Sequence, residues 1–242
     1  MRIIAHRGNS WLAPQNTLAA FNSARLGQVE TIEFDIQPLR DGHAAVIHDD
    51  TVDATTNGSG LVSSFTSETI KELDAGSWFS PYFANERIPL LPEVLAFLTE
   101  SDTPNFLLEI KGVWQHEHLG PVFAAIDDHG LADRVVVQSF EADTVAAAKE
   151  LAPHLPREWL LGEWREDAIE VAYDLGAQGV NPHGMILLEH PDFVDEMHGA
   201  GLSVAVWVLN EPQHWQAAKE FGVDAIITDR PTMLAGWLAA QP

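Results

Sequence analysis

The chain has 242 residues, no cysteine, and 36 aspartates and glutamates against 13 lysines and arginines, a formal net charge of -23. That length buries a sizeable core, and the lack of cysteine removes disulfides, thiolate catalysis and zinc-cysteine sites. A field this acidic repels polyanions, so neither nucleic acid nor stable association with an anionic membrane is expected; high solubility is the simplest account of the acidity.

Runs rich in Ile, Val and Leu at 2–6, 31–37, 44–48, 105–110, 134–138, 158–162, 178–181, 202–208 and 224–228 read as strands. Most are followed by helical periodicity. Thr17 to Gln28 offers Leu18, Phe21 and Arg25 on one face, and Pro212 to Phe221 spaces Trp215, Ala218 and Phe221 by three. Repeated strand-helix units, about eight in about 250 residues, predict an α/β fold of the (β/α)8 TIM barrel type. The ninth run is the informative excess. Only Pro38 to His43, with a turn-like Asp41-Gly42, separates the second run from the third, too short for a parallel crossover. Residues 31–48 are therefore expected to form a hairpin-like excursion that brings His48 near Glu33.

Between Asp49 and Ile88 no strand-helix unit fits. The segment holds Thr55-Thr56-Asn57-Gly58-Ser59-Gly60, a short helix candidate at Ser67 to Asp74, and the aromatics Trp78, Phe79, Tyr82 and Phe83. Such clustered aromatics argue for order, so a cap-like insertion at about 50–88 is expected beside the barrel mouth. With no linker or composition shift elsewhere, residues 1–242 read as one domain. No run approaches the roughly 20 apolar residues of a membrane helix. Because candidate chemistry already begins at His6, no signal peptide is expected, and the location predicted is cytoplasmic.

Chemistry-bearing residues gather where these runs end. His6-Arg7-Gly8 closes the first, Glu33-Phe34-Asp35 lies in the second, His48-Asp49 closes the third, and Glu109-Ile110-Lys111 closes the fourth. Alternation along a strand puts Glu33 and Asp35 on one face, and Glu109 and Lys111 on another such face. Alone, each acid is most simply a salt-bridged rim residue. Together on dry faces they repel one another unless a cation neutralises them. Oxygen-only ligation selects one hard divalent ion, Mg2+ or Ca2+, over zinc. Three carboxylates, a divalent cation, Arg7, Lys111 and one phosphodiester sum to zero formal charge. Arg7 would clamp the phosphoryl oxygens with its planar fork, and Lys111 would act as a point charge. His6 and His48 titrate near neutrality when unperturbed, so one can take a proton while the other gives one, on opposite sides of phosphorus. Trp207, near the end of a late run, is either core or a wall for the alcohol part of a substrate. Asp229-Arg230-Pro231 reads as an internal ion pair capping the last helix.

These residues resemble the glycerophosphodiester phosphodiesterases. The likeness runs in order through His6-Arg7-Gly8, Pro14-Gln15-Asn16-Thr17, Ile32-Glu33-Phe34-Asp35-Ile36, His48-Asp49 with Thr55-Thr56-Asn57-Gly58, Leu108-Glu109-Ile110-Lys111, Val137-Gln138-Ser139-Phe140, Val206-Trp207 and Ile226-Ile227-Thr228-Asp229-Arg230-Pro231. The resemblance implies a barrel with a small insertion after the second histidine strand. It implies hydrolysis of a small glycerophosphodiester to an alcohol and glycerol 3-phosphate, with Glu33, Asp35 and Glu109 as metal ligands, His6 and His48 as the acid-base pair, and Arg7 and Lys111 on the phosphate. Rival readings are a relative acting on lysophospholipids or another phosphodiester, and a binding module that has lost turnover. The chain departs from the family pattern at Gln15, where glutamate is usual, and at Ala54, where arginine is usual. If those two positions form one ion pair in relatives, the two losses offset each other here.

Overall fold

Nine apolar runs become nine strands in the computed structural model, which describes residues 1–241. They are β1 (Arg2–Ala5), β2 (Thr31–Pro38), β3 (Ala44–Val46), β4 (Asn105–Ile110), β5 (Val135–Ser139), β6 (Arg157–Leu161), β7 (Gly179–Pro182), β8 (Ala205–Val206) and β9 (Ala225–Thr228). Eight are parallel, in the order β7-β6-β5-β4-β2-β1-β9-β8, and β3 lies off this path as an antiparallel partner of β2. Parallel bridges Gly179 to Ser203 and His183 to Trp207 bring β7 beside β8 and close the ring. Helices alternate with these strands: α1 (Leu18–Leu26), α2 (Ser67–Ile70), α3 (Leu91–Glu100), α4 (His116–Asp128), α5 (Ala142–Leu151), α6 (Ala168–Leu175), α7 (Gly184–Glu189), α8 (Phe193–Gly199), α9 (Pro212–Phe221) and α10 (Pro231–Ala239). The architecture is the (β/α)8 barrel. No helix among the described residues is long and apolar enough to cross a membrane.

Two apolar layers hold the barrel, as strands buried on both faces require. Between strands and helices lies the large core that includes Phe21, Phe34, Phe106, Leu108, Ile110, Phe193 and Trp215. Inside the ring a smaller cluster joins Ile4, Leu107, Ala205, Ala225 and Ile227, with Val136 and Trp207 against it. Because side chains alternate, these interior residues set the parity of each strand. Even numbers point inward on β1 and β5, odd numbers on β4, β8 and β9. Two residues further along, toward the C-terminal mouth, the same faces carry His6, Gln138, Glu109 and Asp229. The barrel thus converts strand parity into a polar cluster above an apolar plug.

The hairpin is what carries His48 to that mouth. Leu39 N donates to His43 O at 2.8 Å, Gly42 takes φ +82°, and the strands pair as Ile36 with Val46 and Pro38 with Ala44. Gln37 Nε2 then donates to His48 O at 2.7 Å, fixing the chain just past β3 against the end of β2. The segment that follows packs Val52, Val62, Ile70, Ala75 and Ile88 against Leu39, Ala45 and Ile47 of the hairpin region as a separate cluster. Thr51 and Leu61 bridge within it, and Tyr82 is 98% exposed.

Three elements differ from the sequence expectation. The helix at Ser67 stops at Ile70 rather than Asp74, because Glu72 N and Leu73 N turn back only three residues, to Thr69 O and Ile70 O, and Asp74 N donates instead to Asn57 Oδ1 at 2.8 Å. The run 202–208 yields only Ala205–Val206 as ladder, and just before it Val204 N donates instead to Asp224 Oδ2 at 2.8 Å. In α1 the buried face is Ala20, Phe21 and Ala24, with Thr17 as N-cap and Leu18 exposed, so the helix is rotated from the face expected around Leu18 and Arg25.

Candidate active site

The turn after β1 is forced into an unusual shape. Arg7 and Gly8 take φ of +56° and +80°, and a Cβ at Gly8 would lie 2.6 Å from the Ala20 carbonyl carbon, so only glycine lets α1 approach this closely. The left-handed backbone at Arg7, which a non-glycine residue adopts at some cost, aims its N–H at Glu33 Oε2, 2.7 Å away. Arg7 Nε lies 3.3 Å from Asp35 Oδ2, and its NH1 donates to Gln15 Oε1 at 2.7 Å. Asn16, also left-handed at φ +57°, donates through Nδ2 to Asp35 Oδ2 at 2.7 Å.

Glu33, Asp35 and Glu109 converge because their strands are in register. Asp35 on β2 sits beside Glu109 on β4, which sits beside Gln138 on β5. One carboxylate oxygen from each acid lies within 4.8 Å of the others. Glu33 Oε1 and Asp35 Oδ1 are buried and accept no hydrogen bond, and Glu109 Oε1, equally buried, meets only the Lys111 ammonium at 2.7 Å. Burying three such oxygens is expensive unless something positive stands among them. Burial, with Asp35 and Glu109 nearby, pushes Glu33 far above the ordinary carboxylate range. Burial and Asp35 likewise raise Glu109 to about 7, against the pull of Lys111. Burial would raise Asp35 too, but Arg7, His48, Lys111 and Asn16 outweigh it and hold it below the usual value. The donor set fits a hard divalent cation: oxygen atoms only, buried, convergent and short of hydrogen-bond donors.

Two histidine-aspartate pairs stand around the acids. His6 Nδ1 lies 2.7 Å from Asp229 Oδ1, and His48 Nδ1 lies 2.7 Å from Asp49 Oδ1. Each aspartate fixes the Nδ1–H tautomer, which leaves His6 Nε2 free and turns His48 Nε2 toward Lys111. Burial lowers both histidines below the ordinary range, opposed by Asp229 at His6 and by Asp35 and Asp49 at His48. Lys111 Nζ is 2.7 Å from Glu109 Oε1 and donates to His48 Nε2 at 3.1 Å. His6, Arg7, Glu33, His48, Glu109 and Trp207 all line one cavity of about 100 Å3, walled further by Gln138, Phe140 and Ile227. Asp35 lies fully buried beneath it, and Lys111 reaches it through Glu109 and His48. All eight residues singled out from the sequence are therefore within one constellation.

Trp207 is a rigid part of the wall. Its indole N–H donates to Asn181 O at 2.8 Å, and its ring meets Phe140 edge-on at 5.2 Å and His183 at 4.9 Å. Two sequence expectations change here. Asp229 does not pair with Arg230: it binds His6, Ser10 Oγ at 3.0 Å and Asn210 Nδ2 at 2.6 Å, and it is held at about 2 because these partners overcome its burial. Arg230 instead pairs with Glu211 at 2.8 Å and stacks 3.9 Å over Trp11. Nor do Gln15 and position 54 share a pair, because Gln15 is bound to Arg7 and Ala54 is exposed. Asp229 was readable in principle: it has the inward parity of Ala225 and Ile227, two residues past the last interior residue of β9.

Comparison with known proteins bears on this constellation. The model of the glycerophosphoryl diester phosphodiesterase family matches residues 6–233. A glycerophosphodiester phosphodiesterase of Caldanaerobacter subterraneus is 36% identical over 96% of this chain and 95% of its own. Among solved structures, an Oleispira antarctica phosphodiesterase in complex with the product sn-glycerol-3-phosphate superposes with a TM-score of 0.89 at 26% identity, covering 99% of this chain and 97% of that one. A glycerophosphodiester phosphodiesterase from Agrobacterium tumefaciens gives 0.83 at 28% identity over 98% of this chain and 99% of that one. With a family model spanning nearly every residue and relatives alike over almost their full length, the chain belongs to the glycerophosphoryl diester phosphodiesterase family.

Proposed function

We propose that the protein hydrolyses glycerophosphodiesters to an alcohol and sn-glycerol 3-phosphate, using one divalent cation at Glu33, Asp35 and Glu109 and the acid-base pair His6 and His48. The observation that carries this reading is the convergence of three buried carboxylates, two of them with an oxygen that accepts no hydrogen bond, between two histidine-aspartate pairs. The family membership and the product complex of the Oleispira relative support it. The cation would be Mg2+ or Ca2+, and when bound it supplies Lewis-acid polarisation of the phosphoryl oxygen and a fixed point for substrate.

The chain's own residues do the rest. Arg7 and Lys111 hold the anionic phosphoryl oxygens and keep charge developing there from being stranded in a dry site. His6, neutral and with Nε2 free, takes the proton of the attacking glycerol 2-hydroxyl; the resulting imidazolium is stabilised by the ionised Asp229 and returns the proton to the 2-oxygen when water, deprotonated by His48, opens the cyclic phosphate to glycerol 3-phosphate. His48 gives a proton from Nε2 to the departing alcohol oxygen, with Lys111 turned from that nitrogen to the phosphate; the phosphodiester's negative charge favours the imidazolium while substrate is bound. Phe140 and Trp207 wall the alcohol side against water. The segment at about 50–88 is read as a cap on the same single domain. The cellular role is turnover of glycerophosphodiesters from phospholipid breakdown in the cytoplasm, without stable membrane attachment. Release of glycerol 3-phosphate from glycerophosphodiesters, followed with and without chelator and in His6→Ala, tests the reading.

A further inference from the structure

Trp207 and Val208 line two cavities at once. One is the catalytic cavity; the other is a groove of about 180 Å3 between α7 and α9. Leucines 187, 188 and 209 and Phe221 supply apolar wall, and small residues keep the groove open. Gly184 stands at the start of α7, where a Cβ would come within 2.9 Å of Leu209 Cδ2, and Ala217 and Ala218 face it from α9. No carboxylate, lysine or arginine lines it, in a chain of net charge -23. Its only polar side chains besides the engaged Trp207 are His183 and His214, and His183 Nδ1 already accepts from Met185 N at 3.3 Å. Such a surface offers nothing to an ion and does not repel an uncharged aliphatic chain.

From the shared wall at Trp207 and Val208 we propose that this groove takes an aliphatic chain carried by the alcohol portion of the substrate, so that phosphodiesters with a single alkyl chain are substrates. The inference rests on the phosphodiesterase reading above. With phosphate held at Arg7 and the alcohol oxygen beside His48, the alcohol's carbon chain leaves along Phe140 and Trp207. Trp207 and Val208 are the residues that the catalytic cavity and the groove have in common, so a chain that passes over them would enter the groove. Trp207 cannot follow the chain, since its N–H is bound and its ring packs against Phe140 and His183. It acts as a rim, and the groove beyond it determines chain preference.

The experiment uses n-alkyl esters of glycerol 3-phosphate, ethyl through octyl, below their aggregation thresholds, with the metal-loaded protein. In the wild type kcat/KM should climb with chain length, by up to about fourfold per methylene while the chain stays within the groove. In Ala217→Phe, which fills the groove, and in Leu188→Asp, which charges its exposed wall, the climb should vanish while the ethyl ester reacts as in the wild type. Leu188 is 59% exposed, so that variant folds even if the first does not. A flat series in the wild type, or an undiminished climb in Leu188→Asp, overturns the proposal. Calorimetric binding of the same esters under chelator, without turnover, reads the groove separately. Affinity that rises with length there supports the groove even if no ester were hydrolysed, a result that would count against the phosphodiesterase reading alone; affinity independent of length overturns the groove.

Discussion

His6 and Asp229 are joined by a 2.7 Å hydrogen bond although 223 positions separate them in the chain. The bond exists because β1 and β9 are neighbours in register, with Ala5 beside Thr228, so the residue after each strand end meets the other. Asn210 holds the second carboxylate oxygen at 2.6 Å and also accepts from Asp229 N at 2.9 Å. The imidazole is thus fixed through Nδ1, and Nε2 is the nitrogen left for the reaction.

Asp229→Asn should lower kcat on the order of 10²- to 10⁴-fold with little change in fold, because the imidazolium loses its counter-charge and its tautomer is no longer imposed. The sign of the pH effect follows from the contacts. Burial lowers His6 and Asp229 opposes that, so removing the charge lowers His6 further and moves the acid limb of kcat/KM to lower pH. A purely structural aspartate would reduce activity without moving the limb. Since the Asp229 carboxyl sits at about 2 in the folded protein, its stabilisation is present above the ordinary carboxylate range and is lost as pH falls toward 2. Asp229→Asn should flatten that part of the acid-denaturation curve.

The acid cluster makes the metal-free protein pH-sensitive in the opposite direction. Glu109 is raised to about 7, chiefly by burial, so the metal-free fold is favoured below the ordinary carboxylate range and loses that advantage as pH rises through 7. Saturating Mg2+ or Ca2+ should remove this loss. At a hundredfold excess over Kd it should raise Tm by roughly 5–11 °C. In Glu33→Gln and Asp35→Asn the metal-induced rise should be absent by thermal melts and by calorimetry; wild-type affinity in both would remove them from the ligand set.

For His48 the test is the leaving group. Loss of a general acid matters in proportion to how badly the departing oxygen needs a proton. His48→Ala should therefore be slowed on the order of 10²- to 10⁴-fold for an alkyl ester and far less for a nitrophenyl ester, whose oxyanion leaves unaided. Equal losses on both substrates would show that His48 only binds. The Lys111 contact at 3.1 Å predicts that Lys111→Met also alters the His48 pH limb, through loss of the cation that opposes the imidazolium.

Gln15 sets how much of Arg7's charge is left for substrate. As a neutral acceptor at 2.7 Å it orients the guanidinium without neutralising it. Gln15→Glu should raise KM on the order of tenfold, equivalent to roughly 1.4 kcal/mol, with kcat little changed. Restoring arginine at the exposed Ala54 should add nothing, and the double change should be additive. A coupling between the two positions beyond experimental error would contradict the geometry seen around Arg7.

Much of this was legible because a parallel barrel writes itself plainly. The apolar runs before His6, at Glu33-Phe34-Asp35 and at Glu109 could be read as strands, and the short Pro38–His43 link forced the hairpin that delivers His48. What stayed hidden depends on which strand neighbours which. Asp229 reads locally as a partner for Arg230, one residue away, until β9 is laid beside β1. The groove behind Trp207 is invisible for a similar reason: Gly184 and Ala217 are small residues of two separate helices, and only packing shows that they leave space facing each other. The end of the helix at Ile70 was lost to a side chain, since Asn57 captures the Asp74 N–H that periodicity alone assigns to the helix.

The most direct test of the whole account is phosphorus NMR of glycerophosphodiester hydrolysis by the wild type, run with divalent cation and then with excess chelator. The account predicts glycerol 3-phosphate as the phosphorus-containing product, its formation stopping on chelation and returning when Mg2+ or Ca2+ is restored. Turnover that continues at the same rate in chelator-treated protein, or cleavage that releases glycerol and leaves phosphate on the alcohol, would contradict it.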